Sequence, residues 1–320
     1  MRGLRDQDEL AVRLIGVDTT AYSAGLFDCD ARYTVPPSAA DDFLPALEAI
    51  CRHERVDVVI PIADFELELF AGAATALQAI TGARVITNTL SAVTLARDKL
   101  RSAQAVAARG VAVPAWRDHT ALEAAGLPVI VKPRWGAGSA GVSVVRSLAE
   151  LDGALSAAGA DALVQDFVAG QEYTVDLVVA PDGDVLATAP RIRAEVRAGQ
   201  SYKGVTVDDA EIEDAARRCA AALGLTGQGN VQLIRSEHDG RPYFIEVNPK
   251  FAAAMGLTIA AGLNLPLLYV KLALGQPVGA EQLRRAPDMW LLRRWEDRVV
   301  PAQAIAAVPT WDTVPRCSSS

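Results

Sequence analysis

Three segments between residues 127 and 248 share one pattern, in which two apolar runs are joined by a turn that contains glycine. The segments are LPVIVKPRWGAGSAGVSVVRS, QEYTVDLVVAPDGDVLATAPRIRAEV and GNVQLIRSEHDGRPYFIEVN, and the last two turn at Asp182–Gly183 and Asp239–Gly240. Asp-Gly between two such runs is typical of a β-hairpin turn. The pattern therefore predicts antiparallel strands here, with amphipathic helices in LAELDGALSAAG and DDAEIEDAARRCAAALG.

The first hundred residues have a different order of patterns, in which short apolar strands alternate with helices. Apolar strands are predicted at Ala11–Asp18, in the segment that ends at Pro37 and at Val56–Asp64, and helical spacing over Phe43–Ile50 predicts a helix between the last two. A further single helix is predicted over residues 91–110. Because such alternation is typical of a doubly wound parallel sheet, the fold class is predicted to be α/β.

The composition is that of an acidic globular chain, and it excludes several classes of function. The 320 residues are 51% hydrophobic with a net charge of −8 and a pI of about 5.0, which suffices for one large or two to three small domains. An acidic chain lacks the general basic surface that binds nucleic acid or acidic membranes, so neither is an expected partner. No apolar run approaches the ~20 residues of a membrane span, and the charged N-terminus does not have a secretory signal pattern.

The cysteines and histidines do not have the spacing of a metal site or of a disulfide framework. The cysteines are scattered without a CxxC pair and the histidines share no ligand spacing: Cys29, Cys51, Cys219, Cys317, His53, His119 and His238. Scattered cysteines are typical of reduced thiols in the cytosol. The sequence therefore predicts a cytoplasmic protein.

Lysine is rare in this chain, although basic residues are not. Of 31 basic residues only five are lysine, namely Lys99, Lys132, Lys203, Lys250 and Lys271. Where any positive charge is sufficient the chain uses arginine, so a lysine indicates a position that needs a compact ammonium group. We therefore treat the five lysines as candidate functional residues.

The hairpin that turns at Asp239–Gly240 is predicted to place polar side chains on one face. Residues two apart in a strand point the same way, so Glu246 and Asn248 share a face, and Asn230 and Gln232 form a similar pair on the other strand. Carboxylate and amide oxygens that converge in this way suit Mg²⁺, which takes few protein ligands together with phosphate oxygens. An ordinary half-buried hairpin with one solvated face shows the same alternation.

Lys132 comes directly before the glycine-rich turn of the first hairpin, whereas a Walker loop has its lysine after the glycines. It follows the apolar run PVIV and is therefore predicted to lie on a strand. The loop GAGSAG can present backbone N–H groups to a phosphate, because glycine adopts the required dihedral angles. A lysine beside such a loop favours phosphate binding, although the loop alone is equally typical of a mobile hairpin tip.

The segment LVQDFVAGQEYTVD joins two predicted strands and has the features of a nucleoside site. A strand edge beside Phe167 and Val168 can offer backbone groups to the edge of adenine while these side chains pack on its face. Glu172 can accept hydrogen bonds from ribose hydroxyls. An ordinary corner between two strands is the alternative interpretation.

The chain resembles the ATP-grasp superfamily and, within it, the ATP-grasp domains of the carbamoyl-phosphate synthetase large chain. The resemblance is carried by three features in this order along the chain, namely Lys132 with its glycine-rich loop, LVQDFVAGQEYTVD and GNVQL…YFIEVNPKF. The likeness covers nearly the whole chain, since VDVVIPIADFELELF, NTLSAVTLARDKLRSAQAVAARGVAVP and AEVRAGQSYKGVTV are also similar to that subgroup. The resemblance implies an ATP-grasp fold, in which two α+β subdomains hold ATP between them, after a shortened doubly wound N-terminal domain. The implied domains are a pre-grasp domain at 1–98, a lid subdomain at 99–168, a large subdomain with the metal site at 169–290 and an extension with a disordered end at 291–320.

The resemblance also implies which residues form the site, with ATP and Mg²⁺ as cofactors and Mn²⁺ as an alternative metal. The residues implied to bind ATP are Lys99 and Lys132 at the phosphates, Gly136, Gly138, Ser139 and Gly141 in a loop over the β- and γ-phosphates, Gln165, Asp166, Phe167 and Val168 at adenine, and Glu172 at ribose. The implied metal ligands are Gln232, Glu246 and Asn248. The implied catalytic residues are Lys203 and Lys250 near the γ-phosphate, with Arg191 or Arg193 at an acyl phosphate.

The chain departs from the family pattern at three places. Gln165 stands where glutamate is usual. After EVNP the chain continues as KFAAAM, where an arginine and glycines are usual, so Lys250 is the cation there and bicarbonate phosphorylation is disfavoured. The usual first strand and glycine turn are missing before AVRLIGVD, so the N-terminal domain is either shortened or begins upstream.

The resemblance predicts an ATP-dependent carboxylate–amine ligase that forms an amide through an acyl phosphate and releases ADP. Its partners would be a small-molecule carboxylate and an amine, and relatives that are often dimers suggest a homodimer. One alternative is an enzyme that activates bicarbonate or carbamate, as carbamoyl-phosphate synthetase does. A second alternative, from another class, is a nucleotide-binding module without catalysis.

Overall fold

The protein is described by a computed structural model that covers residues 1–136, 138–197 and 199–315. Ala137 of the predicted phosphate loop, Cys317 and the C-terminal end that was expected to be disordered lie outside the described residues. Contacts divide the chain into two compact units. Unit 1 consists of residues 1–87, 264–278 and the described part of 294–320, and unit 2 consists of residues 88–263 and 279–293.

The described residues form ten α-helices and thirteen strands. The helices are α1 (Arg2–Arg5), α2 (Phe43–Glu54), α3 (Leu67–Thr81), α4 (Leu90–Arg97), α5 (Lys99–Ala107), α6 (Leu151–Ala158), α7 (Ala210–Leu223), α8 (Met255–Ala260), α9 (Leu265–Ala273) and α10 (Ala302–Ala306). The strands are β1 (Ile15–Asp18), β2 (Ala31–Thr34), β3 (Val58–Val59), β4 (Arg84–Val85), β5 (Val129–Pro133), β6 (Ser143–Val145), β7 (Ala162–Asp166), β8 (Gly170–Val179), β9 (Val185–Arg197), β10 (Gln200–Thr206), β11 (Gly229–Ser236), β12 (Pro242–Asn248) and β13 (Trp290–Leu292). Among these helices the longest, α3, has 15 residues and is too short to cross a bilayer.

Unit 1 contains the parallel strands that the alternation of strands and helices predicts. β1 pairs with β2 and β3 pairs with β4, both in parallel. The strands are two to four residues long and form two separate pairs, so they are shorter than the apolar runs of the sequence. The core of this unit is built on α2 and α3, whose Phe43 and Phe70 rings meet edge to face with centroids 6.0 Å apart.

Unit 2 contains two antiparallel sheets, and all three predicted hairpins are present. The large sheet has the strand order β12-β11-β8-β9-β10-β13, and the small sheet has the order β6-β5-β7. The two Asp-Gly turns join β8 to β9 and β11 to β12. Gly183 and Gly240 have φ angles of 95° and 72°, the left-handed region that these turns require and that glycine adopts without strain.

Alternation along the strands gives the large sheet one apolar and one polar face. Tyr173, Val175 and Leu177 of β8 belong to a buried core with Val231 and Leu233 of β11. The helices α5 and α7 contribute to the same core and therefore cover the apolar face. The intervening residues point the other way, so the polar residues of four adjacent strands share one face. These residues are Glu172, Thr174, Asp176, Arg191, Arg193, Asn230, Gln232, Glu246 and Asn248.

The small sheet uses the same alternation on a smaller scale. Val129 and Val131 of β5 are fully buried in a core that includes Leu151 and Ala154 of α6. Lys132 is the next residue of β5 and therefore points to the opposite side of this sheet. The predicted position of Lys132 on a strand is confirmed.

The single helix predicted over residues 91–110 is wrong, because the chain breaks at Asp98 into α4 and α5. Asp98 has an extended backbone (φ −86°, ψ 99°), and its carboxylate accepts hydrogen bonds from the N–H groups of Leu100 and Arg101, both at 3.1 Å. An aspartate in this position begins a new helix by satisfying its free N–H groups. The break places Lys99 at the first position of α5.

A buried ion pair links α8 to the polar face of the large sheet. Arg191 of β9 contacts the carboxylate of Asp176 on β8 with Nη2–Oδ1 and Nε–Oδ2 distances of 3.0 and 3.3 Å, and Thr258 of α8 donates to the same carboxylate. The exposed fractions of the three residues are only 2, 1 and 0%. Removal of one charge from such a pair leaves the other uncompensated in a medium that solvates it poorly.

We therefore expect Asp176→Ala to destabilise the protein by about 3–5 kcal/mol, because the Arg191 guanidinium loses its partner. Urea-induced unfolding, followed by circular dichroism, measures the effect. Glu281→Ala is the matched control, since Glu281 forms an exposed pair with Arg284, and its midpoint should stay at the wild-type value. Equal midpoints for the two variants would show that Arg191 does not depend on Asp176.

Candidate active site

The register of the large sheet brings the three predicted metal ligands together. Gln232 lies opposite Glu246, and Asn230 lies opposite Asn248, in the antiparallel pairing of β11 with β12. The amide nitrogen of Asn248 lies 3.4 Å from Oε1 of Glu246 and 3.4 Å from Oδ1 of Asn230. Asn230 in turn donates to the carbonyl oxygen of Lys250 at 3.1 Å, which holds the chain as it leaves β12. Glu246 and the amides on either side of it thus form one polar cluster.

Two buried lysines lie within electrostatic reach of Glu246. Lys132 is 6% exposed, and burial lowers its pKa to about 8, while the charge of Glu246 raises it and that of Lys99 lowers it. Burial also lowers the pKa of Lys99, and Glu246 again raises it. Since burial disfavours the charged ammonium and a nearby carboxylate favours it, the three groups share one poorly hydrated site.

Lys99 is held in place by Gly136 and by two residues that the sequence analysis did not single out, Asp98 and Arg134. Arg134, just beyond β5, forms a bidentate contact with the Asp98 carboxylate, with Nη2–Oδ2 and Nε–Oδ1 distances of 2.6 and 2.9 Å. The backbone N–H of Lys99 donates to the Arg134 carbonyl oxygen at 3.2 Å. The Lys99 Nζ donates to the Gly136 carbonyl oxygen at 2.8 Å. The start of α5 is therefore tied to the strand that carries Lys132.

The predicted phosphate loop is a turn in which four of the described residues have positive φ angles. The φ angles of Gly136, Gly138, Ser139 and Gly141 are 125°, 70°, 60° and 69°. At Gly141 a Cβ atom would lie 2.9 Å from the carbonyl oxygen of Ala157, so only glycine fits there. The glycines predicted for this loop are thus required by its backbone as well as by any ligand. We call Gly136 together with residues 138–141 the glycine hairpin.

The predicted adenine segment uses several of its polar groups within the protein. Gln165 is 3% exposed and its amide nitrogen donates to the Pro114 carbonyl oxygen at 3.2 Å. The N–H groups of Asp166 and Phe167 donate to the carbonyl oxygens of Ala115 and Pro128 at 2.9 and 3.3 Å. The Asp166 carboxylate pairs with Arg117, with a 2.8 Å contact, and Val168 is partly buried. These contacts fix the backbone at the end of β7.

Trp116 is a further site residue that the sequence analysis did not identify. It forms an isolated antiparallel bridge with Gln165, and the Lys132 Nζ lies 5.8 Å from the centre of its ring. An ammonium over an aromatic face is stabilised by the ring electrons. The sequence signal was the strand-like run before the first hairpin, in GVAVPAW, which gives no indication of a partner for Lys132.

Arg193 connects two residues with different predicted roles. Its Nη1 donates to Glu172 Oε1 at 2.6 Å and to Gln232 Oε1 at 2.7 Å, and its Nη2 donates to the Gly199 carbonyl oxygen at 2.8 Å. Burial raises the pKa of Glu172, the Arg193 charge lowers it, and the Glu246 charge raises it. The predicted ribose ligand and a predicted metal ligand therefore share one guanidinium.

The other predicted catalytic residues have carboxylate or backbone neighbours of their own. Lys203 of β10 is half exposed, and its Nζ lies 2.7 Å from Glu195 Oε2. Arg191 lies in the buried pair with Asp176, so its guanidinium is directed to the sheet and α8. Lys250 is the second residue after β12 and is partly buried. The catalytic roles of these three residues remain predictions.

The oxygen donors of the site fit a hard divalent cation. One carboxylate and two amides offer oxygen ligands at adjacent strand positions, in Glu246, Gln232 and Asn248. Among the described residues there is no group of three or more His, Cys, Asp and Glu side chains that could hold a metal. A mixed set with one carboxylate and no sulfur or imidazole suits Mg²⁺, which takes its other ligands from phosphate and water.

Two family models match the chain. A model described as "ATP-grasp in the biosynthetic pathway with Ter operon" matches residues 159–293, and one described as "PylC-like, N-terminal domain" matches residues 5–86. The first covers most of the large sheet with its polar face, and the second covers the parallel strand pairs.

Curated relatives and solved structures agree with these matches. The chain is 31% identical over 221 residues to D-alanine–D-alanine ligase B of Xanthomonas campestris. That alignment covers 57% of this chain and 66% of the relative. It is 33% identical over 203 residues to the carbamoyl phosphate synthase large chain of Hyperthermus butylicus. That alignment covers 57% of this chain and 19% of the synthase. The biotin carboxylase domain of 2-oxoglutarate carboxylase from Hydrogenobacter thermophilus, solved as a dimer with MgADP, ADP and bicarbonate, superposes with a TM-score of 0.71 at 20% identity. That superposition covers 89% of this chain and 69% of the other.

The fold and the matched relatives thus define an enzyme with an ATP-grasp architecture. The chain belongs to the ATP-grasp ligase family and is similar to the ATP-grasp domains of the carbamoyl-phosphate synthetase large chain. It spans about two thirds of the first of these curated relatives and a fifth of the second.

The environment of Lys132 predicts an abnormal titration. With ¹³C at every lysine Cε, one of five signals should titrate with a midpoint of about 8, and the variant Lys132→Arg should remove that signal. Glu246→Gln deletes the charge that raises this pKa, so the midpoint should move to lower pH. A Lys132 midpoint at the ordinary value of 10.5 would show that the ammonium is hydrated.

The same shift predicts a direction for stability. The unfolded chain keeps the Lys132 proton up to about 10.5, whereas the folded protein loses it above about 8. Between these pH values the unfolded state binds more protons, so the contribution of Lys132 to the free energy of unfolding rises with pH. The Lys132→Arg variant should lose this rise when urea unfolding is measured across the same pH range.

Proposed function

We propose that this protein is an ATP- and Mg²⁺-dependent carboxylate–amine ligase that forms an amide through an acyl phosphate. The observation that carries the proposal is the placement of two buried ammonium groups, Lys99 and Lys132, within electrostatic reach of Glu246. Cations that are already desolvated can hold a triphosphate without further reorganisation. A carboxylate with amide oxygens beside it supplies the complementary site for a metal.

The proposed roles follow the positions of the side chains. Lys99, Lys132 and the glycine hairpin hold the phosphates, residues 165–168 hold adenine, and Glu172 holds ribose. Gln232, Glu246 and Asn248 hold Mg²⁺, with Mn²⁺ as an alternative, and the ion supplies charge neutralisation at the β- and γ-phosphates. Lys203 and Lys250 neutralise charge on the transferring phosphoryl group, and Arg191 or Arg193 orients the acyl phosphate.

The proposed reaction has two steps. A carboxylate oxygen of the first substrate attacks the γ-phosphorus, the bond to the β,γ-bridging oxygen breaks, and ADP leaves with an acyl phosphate formed. The amine of the second substrate then attacks the acyl carbon, the C–N bond forms, the C–O bond to phosphate breaks, and the amine loses a proton. The contribution of the protein is to position the reactants and to stabilise negative charge.

The similarity to a D-alanine–D-alanine ligase supports a carboxylate and an amine as substrates. A second candidate, activation of bicarbonate or carbamate, is supported by the similarity to the carbamoyl phosphate synthase and by the bicarbonate in the neighbouring structure. The dimer in that structure supports a homodimer here. The free thiols of Cys29, Cys51 and Cys219 support a reducing, cytoplasmic location.

We expect the protein to release ADP from ATP and Mg²⁺ only when the mixture contains a carboxylate and an amine. The carboxylate can be an amino acid or another compound. A coupled assay of ADP with pooled amino acids measures it. Glu246→Gln should lower the rate by at least about 100-fold, because it removes the one carboxylate that is proposed to bind the metal. Circular dichroism should show an unchanged fold.

Glu281→Gln is the control for this variant, since Glu281 is an exposed glutamate of the same unit. It should release ADP at the wild-type rate. ADP release with bicarbonate alone would favour the second candidate function. Binding of nucleotide without any ADP release would instead favour a binding module, and an unimpaired Glu246→Gln variant would disprove the metal assignment.

A further inference from the structure

Arg193 is a buried side chain on the polar face of the large sheet that contacts two strands and a turn. It is 9% exposed, and its two terminal nitrogens make three hydrogen bonds within 2.8 Å, to Glu172, Gln232 and Gly199. Its Nε is buried without a hydrogen-bond partner among the described residues. The guanidinium is therefore held entirely by these three oxygen atoms, which come from β8, β11 and the turn between β9 and β10.

The bond to Gln232 selects one orientation of an amide that has two. The amide of glutamine presents an oxygen on one side and a nitrogen on the other, and only the oxygen can bind a metal. A guanidinium only donates hydrogen bonds, so it can bond to the amide oxygen and not to the amide nitrogen. The 2.7 Å contact from Arg193 Nη1 to Gln232 Oε1 thus fixes the position of this oxygen on the polar face of the sheet, which Gln232 shares with Glu246.

The bond to Glu172 has a similar effect on a carboxylate. Glu172 is buried enough that burial raises its pKa, and the charge of Glu246 raises it further. Arg193 compensates this charge at 2.6 Å through Oε1. The second oxygen of the carboxylate is then left for a further hydrogen-bond donor.

The third bond leads to the glycine hairpin. Gly199 has φ of 73°, and a Cβ there would lie 3.0 Å from the carbonyl carbon of Gly138 and 3.1 Å from Oγ of Ser139. The turn that Arg193 holds through Gly199 is therefore in close backbone contact with the tip of the hairpin. On its other side the hairpin is held by Lys99, which donates to Gly136.

We infer that Arg193 is a positioning residue that fixes, through one guanidinium, the Gln232 oxygen, the Glu172 carboxylate and the Gly199 turn that supports the glycine hairpin. The inference rests on the proposed function, since it assigns Gln232 to the metal and Glu172 to ribose. It is separate from the proposed role in orienting an acyl phosphate, because it concerns the residues that hold the nucleotide.

The test measures nucleotide binding, which does not require turnover. Calorimetric titration of the full chain with ADP is done with excess Mg²⁺ and again with a chelator. Arg193→Met should weaken MgADP binding by roughly 10- to 100-fold, because loss of a residue that orients a metal ligand has an effect of this size. It should also reduce the increase in ADP affinity that Mg²⁺ produces. Arg193→Lys keeps the charge but not the planar guanidinium, so its affinity for MgADP should lie between those of Arg193→Met and the wild type.

Arg235 of β11 provides a matched control. Its guanidinium also binds two carboxylates and a glycine carbonyl of a hairpin turn, with contacts of 2.6–2.8 Å to Asp209, Glu211 and Gly240. Arg235→Met should therefore lose comparable bonds yet keep wild-type affinity for MgADP. If Arg193→Met or Arg193→Lys binds MgADP as the wild type does, or if Arg235→Met is equally impaired, the inference is wrong.

The support of the glycine hairpin by Gly199 has a separate test, which can be carried out even if Arg193→Met does not fold. Gly199→Ala keeps the guanidinium but places a methyl group against Gly138, so it should weaken binding of MgADP and not of AMP, which lacks the β-phosphate. Gly240→Ala has a similar φ of 72° with no atom within 4 Å of the added Cβ, and it should change neither affinity. Equal losses for ADP and AMP, or no loss, would disprove this part.

A wild-type protein that binds no nucleotide under any of these conditions would disprove the proposed function, and the inference with it. Wild-type binding of MgADP together with unchanged binding by the Arg193 variants would disprove the inference alone. Thermal unfolding of each variant confirms that the protein under test is folded.

Discussion

Two ammonium groups that have been removed from water in front of one carboxylate determine what this site can hold. Burial of a charged group is unfavourable unless other groups compensate it. Lys99, Lys132 and Arg193 carry three positive charges, and Glu172 and Glu246 carry two negative ones, so this cluster has a net charge of +1. In a chain with a net charge of −8, an inward-facing positive region favours a small anion that can enter, such as a phosphate chain, over a large acidic partner.

Much of the scaffold for this cluster could be predicted from local sequence patterns. An Asp-Gly turn sets the register near the turn of its hairpin, where Arg235 lies opposite Pro242. A β-bulge between Gln232 and Leu233 then shifts the register by one residue and puts Gln232 opposite Glu246, which the turn alone does not predict. Because side chains alternate along a strand, the polar positions of β8 and β11 followed once the strands were assigned. The position of Lys132 on β5 followed in the same way, from an apolar run in front of a glycine-rich turn.

The remaining features depend on contacts between residues that are far apart in the sequence. The break at Asp98 lies within a continuous helical pattern, and it is stabilised by Arg134, which is 36 residues away. The resemblance to the ATP-grasp superfamily implied a role for Arg191 or Arg193 at the substrate, whereas the observed bonds of Arg193 run to β8, β11 and the Gly199 turn. No periodicity connects Trp116 to Lys132 either. Such pairs form only when sheets and loops meet in the fold.

Unit 1 is built from segments that are not continuous in the sequence, because residues 88–263 of unit 2 lie between its first two segments. Residues 1–87 are joined in this unit by α9, whose Leu265, Leu267 and Leu268 are buried and whose preceding Asn264 donates to the Gly3 carbonyl oxygen at 2.6 Å. During translation a ribosome adds residues 88–263 before it adds α9. Helix α1 therefore leaves the ribosome without α9, with which it packs in the folded protein, and gains this partner only after residues 88–263 have been synthesised.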